Sequence, residues 1–209
     1  MNKKEKFVIT INRELGSGGR TVGRKLAEKL NVKFYDKALI RELTEKFNLS
    51  VEEVEKMKGR SHSWWSELVN HLSTGQGMVP TGQIPAKFDV PTTEEMFKVE
   101  TEILKGIAET ASCVVAGRSG FFVFRKEPNH LSVLIQASMP HRIERVMRKQ
   151  NMTEDEASKT IEKVDKMREN YVQKYTGTSR YDTRNYDLVI SADGKTEDEI
   201  MELIMEYIG

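Results

Sequence analysis

Short apolar runs alternate along the chain with longer segments whose apolar positions recur every three or four residues. The runs are rich in β-branched residues, which is typical of buried strands, and they cover residues 7–11, 32–35, 113–117, 131–137 and 186–191. The segments with helical periodicity cover residues 21–30, 37–47, 51–58, 94–111 and 139–174, and a closing helix comes after residue 191. Strands that alternate with helices predict an α/β fold, a parallel sheet with helices on both faces.

Two details of the helical segments are specific enough to check against a structure. Thr153 with Glu156 three residues later forms a capping-box pattern, which predicts that a new helix begins there after a break at residues 151–153. The closing helix is predicted to bury one apolar face. That face contains Ile200, Leu203, Ile204, Tyr207 and Ile208.

Composition narrows the class of protein. The 209 residues fit one α/β domain, and 38% apolar with 31% charged residues suits a folded core under a charged surface. Because 33 basic residues nearly balance 32 acidic ones, we expect no nucleic-acid polymer as a partner. Apolar runs stop at four residues, so we also expect no membrane partner. A single cysteine, Cys113, fits a reducing compartment, and we predict a cytoplasmic protein.

Residues 59–92 differ from the rest of the chain. They combine Trp64 and Trp65 with several glycines and prolines and weak periodicity, which indicates an inserted cap or mobile loop. The four histidines show no metal-ligand spacing, so each is interpreted as a surface or loop residue, and no dedicated metal site is predicted. They are His62, His71, His130 and His141.

A glycine-rich turn, Gly16-Ser17-Gly18-Gly19, lies between the first predicted strand and the first predicted helix. Unpaired backbone N–H groups and the helix dipole favour an anion at such a place. The turn therefore predicts a phosphate-binding site.

Two known patterns nearly fit this turn. In the P-loop pattern, GxxxxGK followed by Ser or Thr, Arg13 takes the first-glycine position, Gly19 the lysine position and Arg20 the hydroxyl position. In the dinucleotide pattern GxGxxG, Thr21 replaces the third glycine and Asp36 stands at a plausible strand end. Spacing alone does not separate a nucleoside triphosphate from a dinucleotide as the ligand.

Arginines at other predicted strand ends favour the first pattern. The predicted strand at 113–117 ends at Gly117 and Arg118, while Arg142 and Arg145 lie three apart at the start of the helix after the next strand. A guanidinium presents a fork of N–H donors that matches phosphate oxygens. Such a set suits the transfer of a γ-phosphoryl group better than hydride transfer.

The chain resembles the cytidylate kinase-like family of nucleoside monophosphate kinases. The resemblance rests on RELGSGGRTVGRKLAEKL at 13–30, FYDKALI at 34–40, VVAGRSG at 114–120, ASMPHRIER at 137–145 and the DxxR of Asp165 to Arg168. It implies a three-layer P-loop kinase-like fold with a helical cap at about residues 36–111 and a lid at about residues 150–185. It also implies transfer of a phosphoryl group from ATP, accompanied by Mg²⁺, to CMP or a related small acceptor.

The resemblance also implies roles for individual residues. ATP phosphates would be held by Gly16, Ser17, Gly18, Gly19, Arg20 and Thr21. The acceptor would be held by Asp36, Arg41, Gly117 and Arg118. The transferring phosphoryl group would be surrounded by Arg20, Arg142, Arg145 and Arg168.

Two positions depart from the family pattern: Gly19 stands where the P-loop lysine is usual, and Ser119 follows the Gly-Arg pair where the family has Asp. We expect Arg20, or Arg13 folded over the turn, to supply the missing positive charge. Without such a charge, the chain would be a nucleotide-binding or sensor protein that catalyses nothing. The second alternative from the dinucleotide pattern is an NAD-dependent oxidoreductase.

Overall fold

The computed structural model describes residues 1–46 and 94–209. Strands and helices alternate as the sequence predicts, and helix boundaries lie within a few residues of those expected. The strands are β1 (Val8–Arg13), β2 (Lys33–Asp36), β3 (Cys113–Ala116), β4 (His130–Gln136) and β5 (Leu188–Ser191). The helices are α1 (Gly19–Lys29), α2 (Lys37–Lys46), α3 (Glu94–Thr110), α4 (Gly120–Val123), α5 (Met139–Gln150), α6 (Glu154–Thr176) and α7 (Glu197–Ile208), with a 3₁₀ turn at Thr183–Asn185.

The strands form one parallel sheet in the order β2-β3-β1-β4-β5. β1 is central, with Ile11 opposite Ala116 of β3 and Arg13 opposite Ile135 of β4. The predicted parallel α/β architecture is confirmed.

The strand order helps to decide between the two kinds of ligand predicted for the glycine-rich turn, a nucleoside triphosphate and a dinucleotide. In a dinucleotide-binding fold, the strand after the glycine-rich turn and its helix pairs with the first strand, giving the order 3-2-1-4-5-6. Here β2 pairs with β3 instead, and β3 separates it from β1. Asp36, at the end of β2, is therefore not on the strand next to the turn, and the order disfavours the dinucleotide alternative.

Alternate residues of the central strands point into two separate cores. Ile9 and Ile11 face α1 and α7, whereas Val8 faces α2 and α3. The same alternation places Val114 in the first core and Val115 in the second. Three layers result, because each sheet face buries its apolar side chains under helices.

The closing helix α7 buries a different set of residues from the one predicted. Ile200, Ile204 and Ile208 are buried as expected, but Leu203 is 40% and Tyr207 54% exposed. Met201 is buried beside Ile204. The prediction for residues 203 and 207 was wrong because α7 lies beside β5, which ends the described sheet, so this part of the helix surface remains open.

The helices after β4 follow the predicted break. Asn151 takes a left-handed backbone conformation at the end of α5, and the Thr153–Glu156 capping box begins α6. In the described ranges, 1–46 and 94–209, no helix is both long and apolar enough to cross a membrane. The predicted helix at 51–58, the segment 59–92 with Trp64 and Trp65, and His62 and His71 lie outside the described residues.

His130 differs from its prediction as a surface or loop residue. It lies within β4, its Nε2 is 2.8 Å from the hydroxyl of Thr10, and burial lowers its pKa to about 4. The ring therefore belongs to the packed part of the sheet.

Ile204 and Leu203, which are neighbours in α7, provide a test of how this helix packs on the first core. Replacing buried Ile204 with Ala should lower the free energy of unfolding by about 2–5 kcal/mol, since it leaves a cavity in the first core. Replacing exposed Leu203 with Ala should cost less than about 1 kcal/mol. Urea denaturation followed by circular dichroism measures both, and equal losses would contradict the described burial.

Candidate active site

The strand ends bring the predicted site residues to one edge of the sheet. Arg13 ends β1, Asp36 ends β2, and Gly117 and Arg118 follow β3. The strands are parallel, so their carboxyl ends share this edge, where ligands bind in open α/β sheets.

The glycine-rich turn leaves the start of α1 open to an anion. Gly16 and Gly18 have φ values of 90° and 83°, a left-handed conformation that glycine adopts without strain. Gly18 precedes α1 and no side chain caps the helix, so its first N–H groups are available to a ligand. A Cβ on Gly16 would lie 2.6 Å from the carbonyl oxygen of Arg142, so α5 packs directly on the turn.

The side chain of Arg13 runs across this turn. A Cβ placed on Gly19 would lie 2.6 Å from Cβ of Arg13, and one placed on Gly117 would collide with its guanidinium. The side chain thus passes from the start of α1 to the end of β3, through space that is open because Gly19 and Gly117 have no side chains. Burial, and secondarily the charge of nearby Arg168, lower the pKa of Arg13 to about 9, while Asp36 opposes that change.

Arg20 has a different partner. Its Nε and Nη2 each lie 2.6 Å from one oxygen of Asp36. The other oxygen of Asp36 accepts hydrogen bonds from the backbone N–H groups of Ala38 and Leu39, at the start of α2. This pair therefore joins α1 to α2, and the role of Arg20 toward phosphates stays a prediction.

Asp165 of α6 is the shared anion of the site. It is 7% exposed, and its two oxygens accept hydrogen bonds from Arg142, Arg168 and Arg180. Its Oδ1 also accepts the N–H of Leu15, the residue immediately before the glycine-rich turn, at 3.1 Å. A single buried carboxylate thus connects the predicted lid to the turn.

Arg168 and Arg180 also hold the backbone of Arg13. Both donate hydrogen bonds to its carbonyl oxygen, Arg168 at 3.3 Å. Burial, with the nearby charge of Arg180, lowers the pKa of Arg168 to about 10. The end of β1 is therefore fixed by two cations from the lid segment.

Sequence reasoning missed Arg180, although its side chain is only 1% exposed. It lies between α6 and β5, in a segment with no recognisable spacing to the other arginines. The sequence offered one weak indication of its role, which is that Arg180 lies among polar residues inside the boundaries of the predicted lid.

Arg145 lies on the other side of the turn. Its Nη1 is 2.5 Å from Oε1 of Glu197 at the start of α7, and its Nη2 donates to the hydroxyl of Thr21 at 3.2 Å. Ser17 is buried, and its hydroxyl donates to the carbonyl oxygen of Glu14 at 3.0 Å. The hydroxyls of the turn are thus both hydrogen-bonded within the protein.

Among the residues predicted to hold the acceptor, Arg118 is not a solvated surface arginine. It is 8% exposed, forms an ion pair with Glu100 of α3, and lies over the ring of Tyr171 of α6. Arg41 lies in α2, but its side chain is outside the described part of the structure.

Among the side chains that the structure describes, cations outnumber anions at this edge of the sheet. The arginines are Arg13, Arg20, Arg142, Arg145, Arg168 and Arg180, and the carboxylates in contact with them are Glu14, Asp36, Asp165 and Glu197. No hydrogen bond or ion pair joins the guanidinium of Arg13 to another side chain of this described set. An excess of fixed positive charge beside an uncapped helix start suits a polyanionic ligand.

Comparisons with known proteins bear on the family of the chain. A family model described as the cytidylate kinase-like family matches residues 8–193. A cytidylate kinase of Methanopyrus kandleri is 24% identical over an alignment 213 residues long. The alignment covers 96% of this chain and 92% of that protein. An uncharacterized protein from Eubacterium ventriosum is similar in structure with a TM-score of 0.71 and 25% identity, over 98% of both chains.

A more distant structure supports the fold alone. A shikimate kinase from Bacteroides thetaiotaomicron has a TM-score of 0.50 at 15% identity, over 97% of this chain and 98% of that one. The predicted P-loop kinase-like fold, with a parallel sheet between helices, is confirmed.

The contacts of Asp165 predict a large effect on stability. Asp165→Asn should lower the free energy of unfolding by about 3–5 kcal/mol, because it leaves buried arginines without their shared anion. Asp155→Asn is the matched control in the same helix. Asp155 pairs with Lys159 on the surface, so its loss should cost less than about 1 kcal/mol. Chemical denaturation in which the two variants are equally stable would contradict this description of Asp165.

Proposed function

Because the chain belongs to the cytidylate kinase-like family, we propose that it transfers the γ-phosphoryl group of ATP to CMP or a related nucleoside monophosphate. The name of the Methanopyrus kandleri relative supports CMP as the acceptor to test first. The observation that carries the proposal is the position of Arg13. Among the departures from the family pattern, the glycine at the lysine position of the turn most disfavours catalysis, and Arg13 would replace the positive charge of that lysine.

Geometry supports Arg13 as the replacement for the lysine. The aliphatic part of its side chain passes within 2.6 Å of where a Cβ of residue 19 would be, so a side chain at 19 and Arg13 exclude one another. The side chain runs from the turn proposed for ATP to Gly117, at the strand end proposed for the acceptor. A cation at this place stands between donor and acceptor phosphates, where charge develops during transfer.

Electrostatics supports the same assignment. The lowered pKa of Arg13 reflects burial and the neighbouring cations Arg168 and Arg180, and no carboxylate whose side chain the structure describes bonds to its guanidinium. An ATP polyphosphate would relieve this repulsion. The free energy of binding would then come partly from charge that the folded protein already concentrates at the site.

The other residues receive roles consistent with their contacts. Backbone N–H groups of residues 16–19 would hold ATP phosphates, together with the side chains of Arg20 and Thr21. Arg142, Arg145 and Arg168 would surround the transferring group, with Arg180 holding the backbone beneath it. The acceptor would be held by Asp36, Arg41, Gly117 and Arg118.

Magnesium would enter with ATP. The hydroxyls of Ser17 and Thr21 are the oxygen donors that the turn offers, and hard oxygen ligands suit Mg²⁺. When bound, the ion would neutralise charge on the β- and γ-phosphates. In the reaction, an oxygen of the acceptor's phosphate forms the new bond to the γ-phosphorus, and ADP leaves with the bridging oxygen.

Arginine truncation tests the proposal. The wild-type protein should release ADP from ATP in the presence of CMP, and Arg13→Ala should lower kcat by about tenfold or more, since a charge-assisted bond contributes about 1.5–3 kcal/mol. Arg184→Ala is the control, because Arg184 is exposed and, of the described side chains, bonds only to neighbouring Asp182. Wild-type ATP binding without turnover of CMP or any other nucleoside monophosphate would support the non-catalytic alternative instead.

Exchanging the position of the charge gives a second test. Gly19→Lys alone should lower activity, since its side chain would collide with Arg13. The double variant Arg13→Gly/Gly19→Lys rebuilds the first glycine and the lysine of the P-loop pattern, and should recover about tenfold or more of the activity lost in Arg13→Gly. An increase in kcat for Gly19→Lys with Arg13 intact would contradict mutual exclusion of the two side chains.

A further inference from the structure

A buried group of charged and aromatic side chains lies beside the active site, at the end of β3. Arg118 forms an ion pair with Glu100, and both are almost completely buried. The guanidinium carbon of Arg118 lies 4.9 Å from the centre of the Tyr171 ring. Three separate elements thus meet at one side chain: the turn after β3, helix α3 and helix α6.

The backbone of this turn directs Arg118 inward. Gly117, Arg118 and Ser119 have φ values of 79°, 56° and 53°, three successive left-handed residues of which two are not glycine. Non-glycine residues hold this conformation only where surrounding structure over-determines it, and such residues concentrate at functional sites. Gly120 follows, and a Cβ there would lie 2.8 Å from Cγ2 of Thr10, so the turn is packed against β1.

Tyr171 connects this group to the phosphate side of the site. It lies three residues after Arg168 in α6, about one helical turn away. Arg168 in turn donates to the carbonyl oxygen of Arg13. The same helix therefore contacts the proposed acceptor arginine at one point and the end of β1 at another.

We propose that Glu100 is a positioning residue of the acceptor site, which holds Arg118 against Tyr171 in the one orientation that grips the acceptor's phosphate. This inference rests on the proposed function, which gives Arg118 its ligand. A guanidinium has five N–H donors in a rigid fork, so Glu100 can take one edge while phosphate oxygens take another. Glu100 itself touches neither nucleotide.

A purely structural ion pair would behave differently from a positioning pair. Loss of a structural pair would lower stability and impair binding of ATP and acceptor alike, because the whole edge of the sheet would loosen. Loss of a positioning pair would impair the binding of one substrate, the acceptor. The discriminating quantities are therefore the KM values of CMP and ATP, measured separately, together with kcat.

The experiment compares Glu100→Gln, which keeps the shape of the side chain and removes its charge, with Glu109→Gln. Glu109 is an exposed residue of the same helix and serves as the control. Glu100→Gln should raise the KM for CMP by about tenfold or more while the KM for ATP stays within about twofold, and calorimetry should show the same loss of CMP affinity. Glu109→Gln should match the wild type.

Other outcomes are equally clear. If Glu100→Gln does not fold, Glu100→Asp, which keeps the charge but withdraws it from Arg118 by one carbon, should give the same selective rise in the KM for CMP. Two results with an active wild type would overturn the role of Glu100 alone. One is a folded Glu100 variant whose KM for CMP is unchanged, and the other is a variant whose KM values for CMP and ATP rise equally. A wild type that neither binds nor phosphorylates CMP or any other nucleoside monophosphate overturns the acceptor assignment itself, and with it the proposed function; if it uses another nucleoside monophosphate, the KM comparison is made with that acceptor.

Discussion

The arrangement of the site depends on mutual exclusion between the side chain of Arg13 and any side chain at residue 19. Because residue 19 is glycine, Arg13 can cross the start of α1 and end at Gly117. Its backbone carbonyl is held by Arg168 and Arg180, which in turn share Asp165. Asp165 also accepts the N–H of Leu15, so the glycine-rich turn and the helix α6 are fixed to one another.

This arrangement concentrates cations at the cost of stability. Buried like charges repel, and the lowered pKa values of Arg13 and Arg168 reflect burial together with that repulsion. The protein limits the repulsion with a few shared carboxylates rather than with one partner for each arginine. Polyphosphate ligands would complete the neutralisation, which is how phosphoryl-transfer sites obtain both affinity and stabilisation of the transition state.

Periodicity predicted the strands and helices well because each sheet face must bury its own apolar residues. It did not predict that Leu203 and Tyr207 are exposed, since the sheet edge depends on strand order. Motif spacing located the turn and favoured Arg20 as the source of the missing charge, with Arg13 as the alternative, because side-chain direction at a helix start depends on tertiary partners. Asp36 binds Arg20, and the contacts of Arg180 join residues distant in sequence.

The most direct measurement is a crystal structure of the protein with CMP, Mg²⁺ and a non-hydrolysable ATP analogue. The account predicts that the guanidinium of Arg13 lies about 3 Å from a β- or γ-phosphate oxygen, within hydrogen-bond distance, while Gly19 contacts phosphate through its backbone N–H. Phosphates bound at the turn with the guanidinium of Arg13 directed away from them, and the charge supplied by Arg20 or by no side chain, would contradict it.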